Sequence, residues 1–152
     1  MNDLATPFAS IPSTSAGIIK QITDAECALL CLEQIDLVTE HILHGGMYSR
    51  TVRLAPGVII TGALIKVATI LIINGNADVL VGDTSARICG YGVLAASAGR
   101  KQVFVTRGPV ELTMIFPTQA KTVEEAETEF TDETDRLMSR RSTRDVVVIT
   151  GE

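Results

Sequence analysis

Between Met47 and Phe116 the chain is a succession of short β-prone segments, broken by turn residues at intervals of about ten positions. Met47-Tyr48-Ser49-Arg50-Thr51-Val52-Arg53-Leu54 alternates apolar and polar side chains, the period of a half-buried strand. Ala55-Pro56-Gly57 reads as a turn, since proline presets the first turning residue and glycine is free to take positive φ. Further strands are expected at 58–61, 64–73, 77–81, 86–89, 93–96, 102–106 and 111–116. Asn74-Gly75 is expected to close a hairpin, because a type I′ turn needs positive φ at both central residues. Gly82-Asp83-Thr84-Ser85, Ser97-Ala98-Gly99 and Arg107-Gly108-Pro109 are read as turns as well, and Gly90-Tyr91-Gly92 as a turn at a strand edge. No stretch between these segments is long enough for a helical crossover, which argues against a parallel α/β sheet. The reading is all-β: one sandwich or barrel.

With 152 residues the chain has the length of one domain that buries a core without disulfide staples. Aromatic residues make up 4% and tryptophan is absent, so the core falls to Val, Ile, Leu and Ala. The net charge of −5 argues against nucleic-acid binding, which needs a basic face to displace counterions. The most apolar run, 57–74, is interrupted by Gly62, Lys66 and two threonines; it reads as strands, and no membrane association is expected. The first ten residues have neither the basic start nor the apolar stretch of a secretory signal.

The flanks differ from the middle. Residues 1–20 are rich in Pro, Ser and Thr without a hydrophobic period and read as an extended arm, with Phe8 and Ile11 as candidate assembly contacts. Residues 21–120 form the barrel domain with a leading helix. There Thr23-Asp24-Ala25-Glu26 has the spacing of a capping box, and Ala25, Ala28, Leu29, Leu32 and Ile35 form an apolar stripe ending near Gln34. Cys27 and Cys31 fall on one face of that helix; with Cys89 they make no zinc pattern and are expected to be buried, reduced thiols. Residues 121–152 open with a second capping signal at Thr122-Val123-Glu124-Glu125. Seven carboxylates between 124 and 135, followed by Arg136, Arg140, Arg141 and Arg144, match a helix dipole and read as a solvated helix. Val146-Val147-Val148-Ile149 is a β-prone tail and a second set of candidate assembly contacts. A lone strand cannot satisfy its own backbone, so it returns to its own barrel or joins another chain's sheet edge.

His44-Gly45-Gly46-Met47-Tyr48-Ser49-Arg50 through Pro56-Gly57-Val58, then Thr61-Gly62-Ala63 and Ile72-Ile73-Asn74-Gly75, resembles the first motif of cupin-like domains. More specifically it is similar to small cupin-like proteins encoded by tailed bacteriophages. The second motif corresponds to Gly90-Tyr91-Gly92-Val93 through Ser97 to Gln102, so the resemblance spans about residues 40–120. It implies a single cupin-like jelly-roll barrel. Metal-binding members place two His and usually a Glu in the first motif and a third His in the second. Here the matching stretch is Ala63-Leu64-Ile65-Lys66-Val67-Ala68-Thr69, and Gln102 stands at the last His position. Lys, Thr and Gln are poor ligands for a transition metal, and His41 and His44 precede the motif as two ligands without a third. No metal, cofactor or catalytic residue is therefore expected.

Nucleophile elbow, phosphate loop and dinucleotide fingerprint are absent. One ligand constellation is left. Tyr48, Arg50, Lys66 and Gln102, if aimed into the barrel mouth, would make a cationic pocket for a carboxylate or sugar phosphate; the competing arrangement has Arg50 and Lys66 facing outward. The resemblance implies a non-enzymatic virion structural protein, a head decoration or a neck, tail or fibre adaptor. It would be made in the host cytoplasm and assemble with itself and other virion proteins through its outer surface and terminal arms. The alternatives are a metal-independent cupin enzyme or binder acting on a sugar or small ligand, and a regulatory or host-interaction protein.

Overall fold

The computed structural model describes residues 10–81 and 83–152. Phe8 lies outside the described residues. In chain order the elements are β1 (Ser10–Ile11), α1 (Ala16–Leu29), β2 (Thr39–His44), β3 (Met47–Leu54), β4 (Ile59–Thr61), β5 (Thr69–Val81), β6 (Thr84–Ala96), β7 (Val103–Pro117), α2 (Val123–Phe130) and β8 (Val146–Ile149). Two single 3-10 turns, Thr134–Arg136 and Met138–Arg140, connect α2 to β8.

These strands lie in one sheet in the order β1-β6-β5-β7-β3-β2-β8, with β4 paired to β7 off that path. The sheet rolls into a jelly-roll barrel around Tyr48, Leu54, Leu71, Ile73, Val79, Phe104, Leu112 and Phe116. Strand β7 is the spine. Its first part pairs with β4 and with Ala77–Val79 of β5, and its second part pairs with β3 and with Ile70–Gly75 of β5. Of the turn expected at Gly82-Asp83-Thr84-Ser85, Gly82 lies outside the described residues, while Thr84 and Ser85 already belong to β6, with Val81 opposite Thr84.

Three expected turns are not turns. Asn74-Gly75, Gly90-Tyr91-Gly92 and Arg107-Gly108-Pro109 all lie inside long strands, and the ladder runs straight through Asn74↔Tyr91 and Gly75↔Gly90. They mark a crease instead. The β5–β7 register shifts between Gly75 and Ala77, which is a bulge, and bulges bend and twist a strand. Gly75 has φ +146, and a Cβ there would meet the Pro109 carbonyl oxygen at 2.3 Å and Val110 Cα at 2.7 Å. Glycine serves close approach of two backbones here, a second meaning of glycine in a strand.

The leading helix also differs from expectation. It starts at Ala16, within the stretch read as an arm, because Ser15 caps it by accepting from the Ile18 N–H at 3.3 Å. The earlier start turns another face inward: Ile22 is buried, whereas Leu32 (64% exposed) and Ile35 (48%) lie beyond the helix in the open. Cys27, Cys31 and Cys89 are exposed, a correction to the buried thiols expected. Ile11, expected as a contact offered to a neighbour, is 1% exposed and packs in the chain's own core through β1 on β6. The β-prone tail returns to its own barrel: β8 pairs parallel with β2, Val148 beside Ile42.

Candidate functional site

The barrel mouth is closed by α2 and the segment after it. Thr122 caps α2 by accepting from the Glu125 N–H at 3.2 Å, as the sequence predicts, but the helix stops at Phe130. Its inner face carries Val123, Ala126, Glu127 and Phe130. Phe130 stacks on Tyr48 (6.3 Å between centroids) and meets Phe116 edge-on at 6.1 Å; Tyr48 and Phe116 form a third edge-to-face pair at 5.4 Å. Such pairs add to what their buried area contributes.

Glu127, read as part of a solvated face, is 1% exposed and organises the closure. It accepts from Arg50 Nη1 at 3.0 Å, Ser139 Oγ at 2.5 Å and Arg140 Nε at 2.6 Å. Burial alone would raise its carboxyl pKa. The hydrogen bonds from Ser139 and Arg140, with the charge of Arg50, overcome that and hold it below the ordinary value. Arg50 also donates to Ser139 Oγ at 3.0 Å, and its guanidinium lies over the Phe130 ring at 5.5 Å.

The same network runs on to the sheet edge. Arg50 Nη1 donates to the Tyr48 oxygen at 3.4 Å, Tyr48 lies 2.7 Å from His41 Nδ1, and His41 Nε2 lies 3.2 Å from Asp145 Oδ2. Arg50 can only donate and a carboxylate only accept, which fixes the direction. The Tyr48 hydroxyl gives its proton to Nδ1, and neutral His41 donates from Nε2 to Asp145. Burial lowers the His41 pKa, the Asp145 hydrogen bond opposes that shift, and the Arg50 charge adds to it. Burial also pushes the Tyr48 phenol up to about 12.

A second seam ties α1 to the C-terminal segment. Lys101 Nζ is fully enclosed between Glu26 Oε1 at 2.8 Å and Glu133 Oε2 at 3.1 Å, and Glu26 also holds Arg136 at 3.1 Å. Beside it Arg100, 2% exposed, donates to Thr69 Oγ1 at 2.8 Å and the Ser97 carbonyl at 3.0 Å; burial lowers its pKa to about 10.

The four side chains expected to form a cationic pocket do not converge on one space. Tyr48 and Arg50 belong to the closure, so Arg50 does not face outward. Lys66 is near the surface, paired with Asp132 Oδ1 at 2.6 Å, and Gln102 donates to the Leu80 carbonyl at 2.7 Å. His41 and His44 stand on opposite faces of β2; His44 Nδ1 meets Thr150 Oγ1 at 2.8 Å. Inward positions of β5 carry Leu71, Ile73, Ala77, Val79 and Val81. Among the described residues no three His, Cys, Asp or Glu side chains come together as a metal-ligand set. Sequence reasoning missed Glu127, Asp145 and Lys101; the one signal for the first was its place among the inward positions Val123, Ala126 and Phe130.

What the barrel presents is its outer face. By register, Ala95, Ile70, Ile115, Ser49, Ile42 and Val148 form one row across five strand pairings, all on the outer side. Ile70, Ile42 and Val148 are 46%, 43% and 46% exposed, and Val93 in the next row is 51% exposed. A shallow depression of about 380 Å³ lies between Ile70, Ala95, Ile115 and Pro117. Among the described residues no helix is long and apolar enough to cross a membrane.

No protein family and no curated protein matches the chain in sequence. Among the solved structures similar to it are several cupin proteins. A cupin superfamily protein from Desulfitobacterium hafniense aligns over 58% of this chain and 84% of its own, with 14% identity and a TM-score of 0.46. The cupin domain of an XRE family transcriptional regulator from Enterobacter cloacae aligns over 55% of this chain and 99% of its own, with 11% identity and a TM-score of 0.44. A cupin conserved-barrel protein from Salinispora arenicola covers 72% of this chain and 86% of its own, at 13% identity and a TM-score of 0.43.

Proposed function

We propose that the chain is a non-enzymatic assembly module: a homo-oligomeric structural component of a tailed-bacteriophage virion, serving as a head decoration or as a neck, tail or fibre adaptor. The observation that carries the reading is the division of its surfaces. The mouth, where a barrel of this kind would take a ligand, is filled by Phe130 and sealed by the Arg50–Glu127–Arg140 pairs. The outer face carries exposed apolar residues on both sides of Ser49, Ile70 beside the half-buried Ile115 and Ile42 with Val148, and exposed apolar surface of this kind marks a place where another protein sits. The phage setting is supported by the resemblance of the His44-to-Gly75 motif to phage-encoded cupin-like proteins.

Light scattering on the purified full chain tests the assembly part. A defined oligomer through the micromolar range is expected, weakened when Ile70→Lys places a charge in the outer row; a monomer at all concentrations overturns the reading. Mass spectrometry of density-gradient-purified particles tests the virion part, with a fixed copy number expected. Particles free of the chain would overturn that part.

A further inference from the structure

We infer that two copies of the chain join edge to edge through β8, antiparallel, with Val148 on the two-fold axis and Val147 of each copy opposite Ile149 of the other. The inference deepens the assembly reading and rests on it. It starts from the backbone. The Thr150 N–H donates to the Leu43 carbonyl at 3.0 Å, so even-numbered residues of this strand aim their peptide groups at β2. By the alternation of a strand, Val147 and Ile149 aim their N–H and C=O away from the sheet, where the described residues offer them no strand. The group that satisfies a row of free donors and acceptors is another β-strand.

Natural edges are blunted by lysine, proline, a bulge or a covering segment. Val146–Ile149 has none of the first three in its sequence and all four side chains are exposed. Nor is it a loose end. The His41–Asp145 pair fixes one end, and His44–Thr150 with the Gly45 N–H on the Glu152 carbonyl at 3.2 Å fixes the other. The edge is pre-organised, which lowers the ordering cost of association.

The register follows from parity and charge. Residues that exchange both hydrogen bonds in an antiparallel pair must both aim outward, so within the strand Val147 faces either Val147 or Ile149 of the second copy. Facing Ile149 engages both outward residues of each strand, about four backbone hydrogen bonds in all. It also brings Arg144, which precedes the strand, opposite Glu152 of the second copy, opposite charges at both ends of the junction. Arg144 is exposed and paired with Asp36, and the Glu152 side chain is 79% exposed, so both are within reach of solvent and of a partner. The outer apolar row then continues from Ile42 and Val148 into Val148 and Ile42 of the second copy. A second copy is thus the occupant that fits in backbone, side chain and charge.

Cysteine cross-linking reads the register directly, in full-length chain with the exposed Cys27, Cys31 and Cys89 changed to Ser. Across the axis the Cα atoms at position 148 would be about 4.5 Å apart, within disulfide range. Val148→Cys is expected to give a disulfide-linked dimer under mild oxidation. Val147→Cys and Ile149→Cys are each expected to stay unlinked alone and to link when mixed. Val147→Pro removes an N–H that the chain's own sheet does not use and should weaken the dimer about tenfold or more, with an unchanged circular dichroism spectrum. If light scattering reports an oligomer while Val148→Cys remains unlinked, the β8 junction is wrong and the assembly reading stands. Self-linking of Val147→Cys or Ile149→Cys overturns the register, and a monomeric full chain overturns both.

Discussion

The Tyr48 hydroxyl lies 2.7 Å from His41 Nδ1, and neither side chain is more than 1% exposed. The two stand on adjacent strands of the β2–β3 hairpin, and each also holds a segment from the C-terminal third of the chain. Tyr48 packs on Phe130, while His41 reaches Asp145 just before β8. One short hydrogen bond therefore connects the closure of the mouth with the anchoring of the sheet edge.

Tyr48→Phe removes that bond together with the longer contact from Arg50, which keeps Glu127 and Ser139 as acceptors. The ring keeps its contacts with Phe116 and Phe130, and His41 Nδ1 is left buried without a donor. An unsatisfied buried polar group costs about 1–3 kcal/mol. Urea unfolding should show a lower midpoint with an unchanged slope. An unchanged midpoint would mean that water reaches His41, contrary to its burial.

The pH dependence follows from the same histidine. Burial, aided by the Arg50 charge and opposed by Asp145, holds the His41 pKa below the ordinary value of about 6.5. In the window between the two values the unfolded chain binds a proton that the folded chain does not. Stability is therefore complete above pH of about 6.5 and falls as the pH drops through that value toward the folded one. Glu127, held below the ordinary carboxyl value, adds a loss only at more acidic pH. His41→Gln should flatten the first decline and leave the second, measured as urea midpoints across the acidic range. A decline unchanged in His41→Gln would assign it elsewhere.

The all-β class was legible because alternation and turn residues are local signals: Met47–Leu54 is a strand as its period predicts. What was not legible is long-range. Asn74-Gly75 has the sequence of a hairpin turn, yet β7 lies across it and uses the missing Cβ for approach to Pro109 and Val110. Without the third strand in view a turn and a crease read alike. Similarly, Ser15 and Thr23 are both competent caps, and packing of Ile22 with the Glu26–Lys101 pair selects the earlier one. Of the candidate site, Tyr48 and Arg50 were identified, but Glu127 is 77 positions from its partner Arg50 and Asp145 is 104 from its partner His41, beyond any local pattern.

Glu127→Ala tests the closure. It leaves the Arg50 guanidinium, 13% exposed, without its carboxylate and removes the acceptor of Ser139 and Arg140. Removing one member of a buried pair costs about 3–5 kcal/mol because a charge is left uncompensated. Glu127→Gln keeps the shape and should lose less. Limited proteolysis should cut the variant first between 131 and 145; cleavage at the same rate in wild type and variant would show that Glu127 does not hold this segment.

Gly75→Ala tests the crease. An added methyl would stand 2.3 Å from the Pro109 oxygen and 2.7 Å from Val110 Cα, both backbone atoms that no rotamer change can move. The residue would also have to hold φ +146, which an L side chain rarely adopts. Backbone strain and overpacking of this kind each cost about 1–3 kcal/mol, so a total of about 2–6 kcal/mol is expected. Gly92→Ala is the paired control. It lies in β6 with nothing within 4 Å of the added carbon and no positive φ, and should change stability by about 0.5 kcal/mol or less. Thermal unfolding of the two variants separates the explanations. If glycine in these strands mattered only for unfolded-chain entropy, both substitutions would stabilise; because the β7 backbone closes on β5 at Gly75, only that one should melt markedly lower.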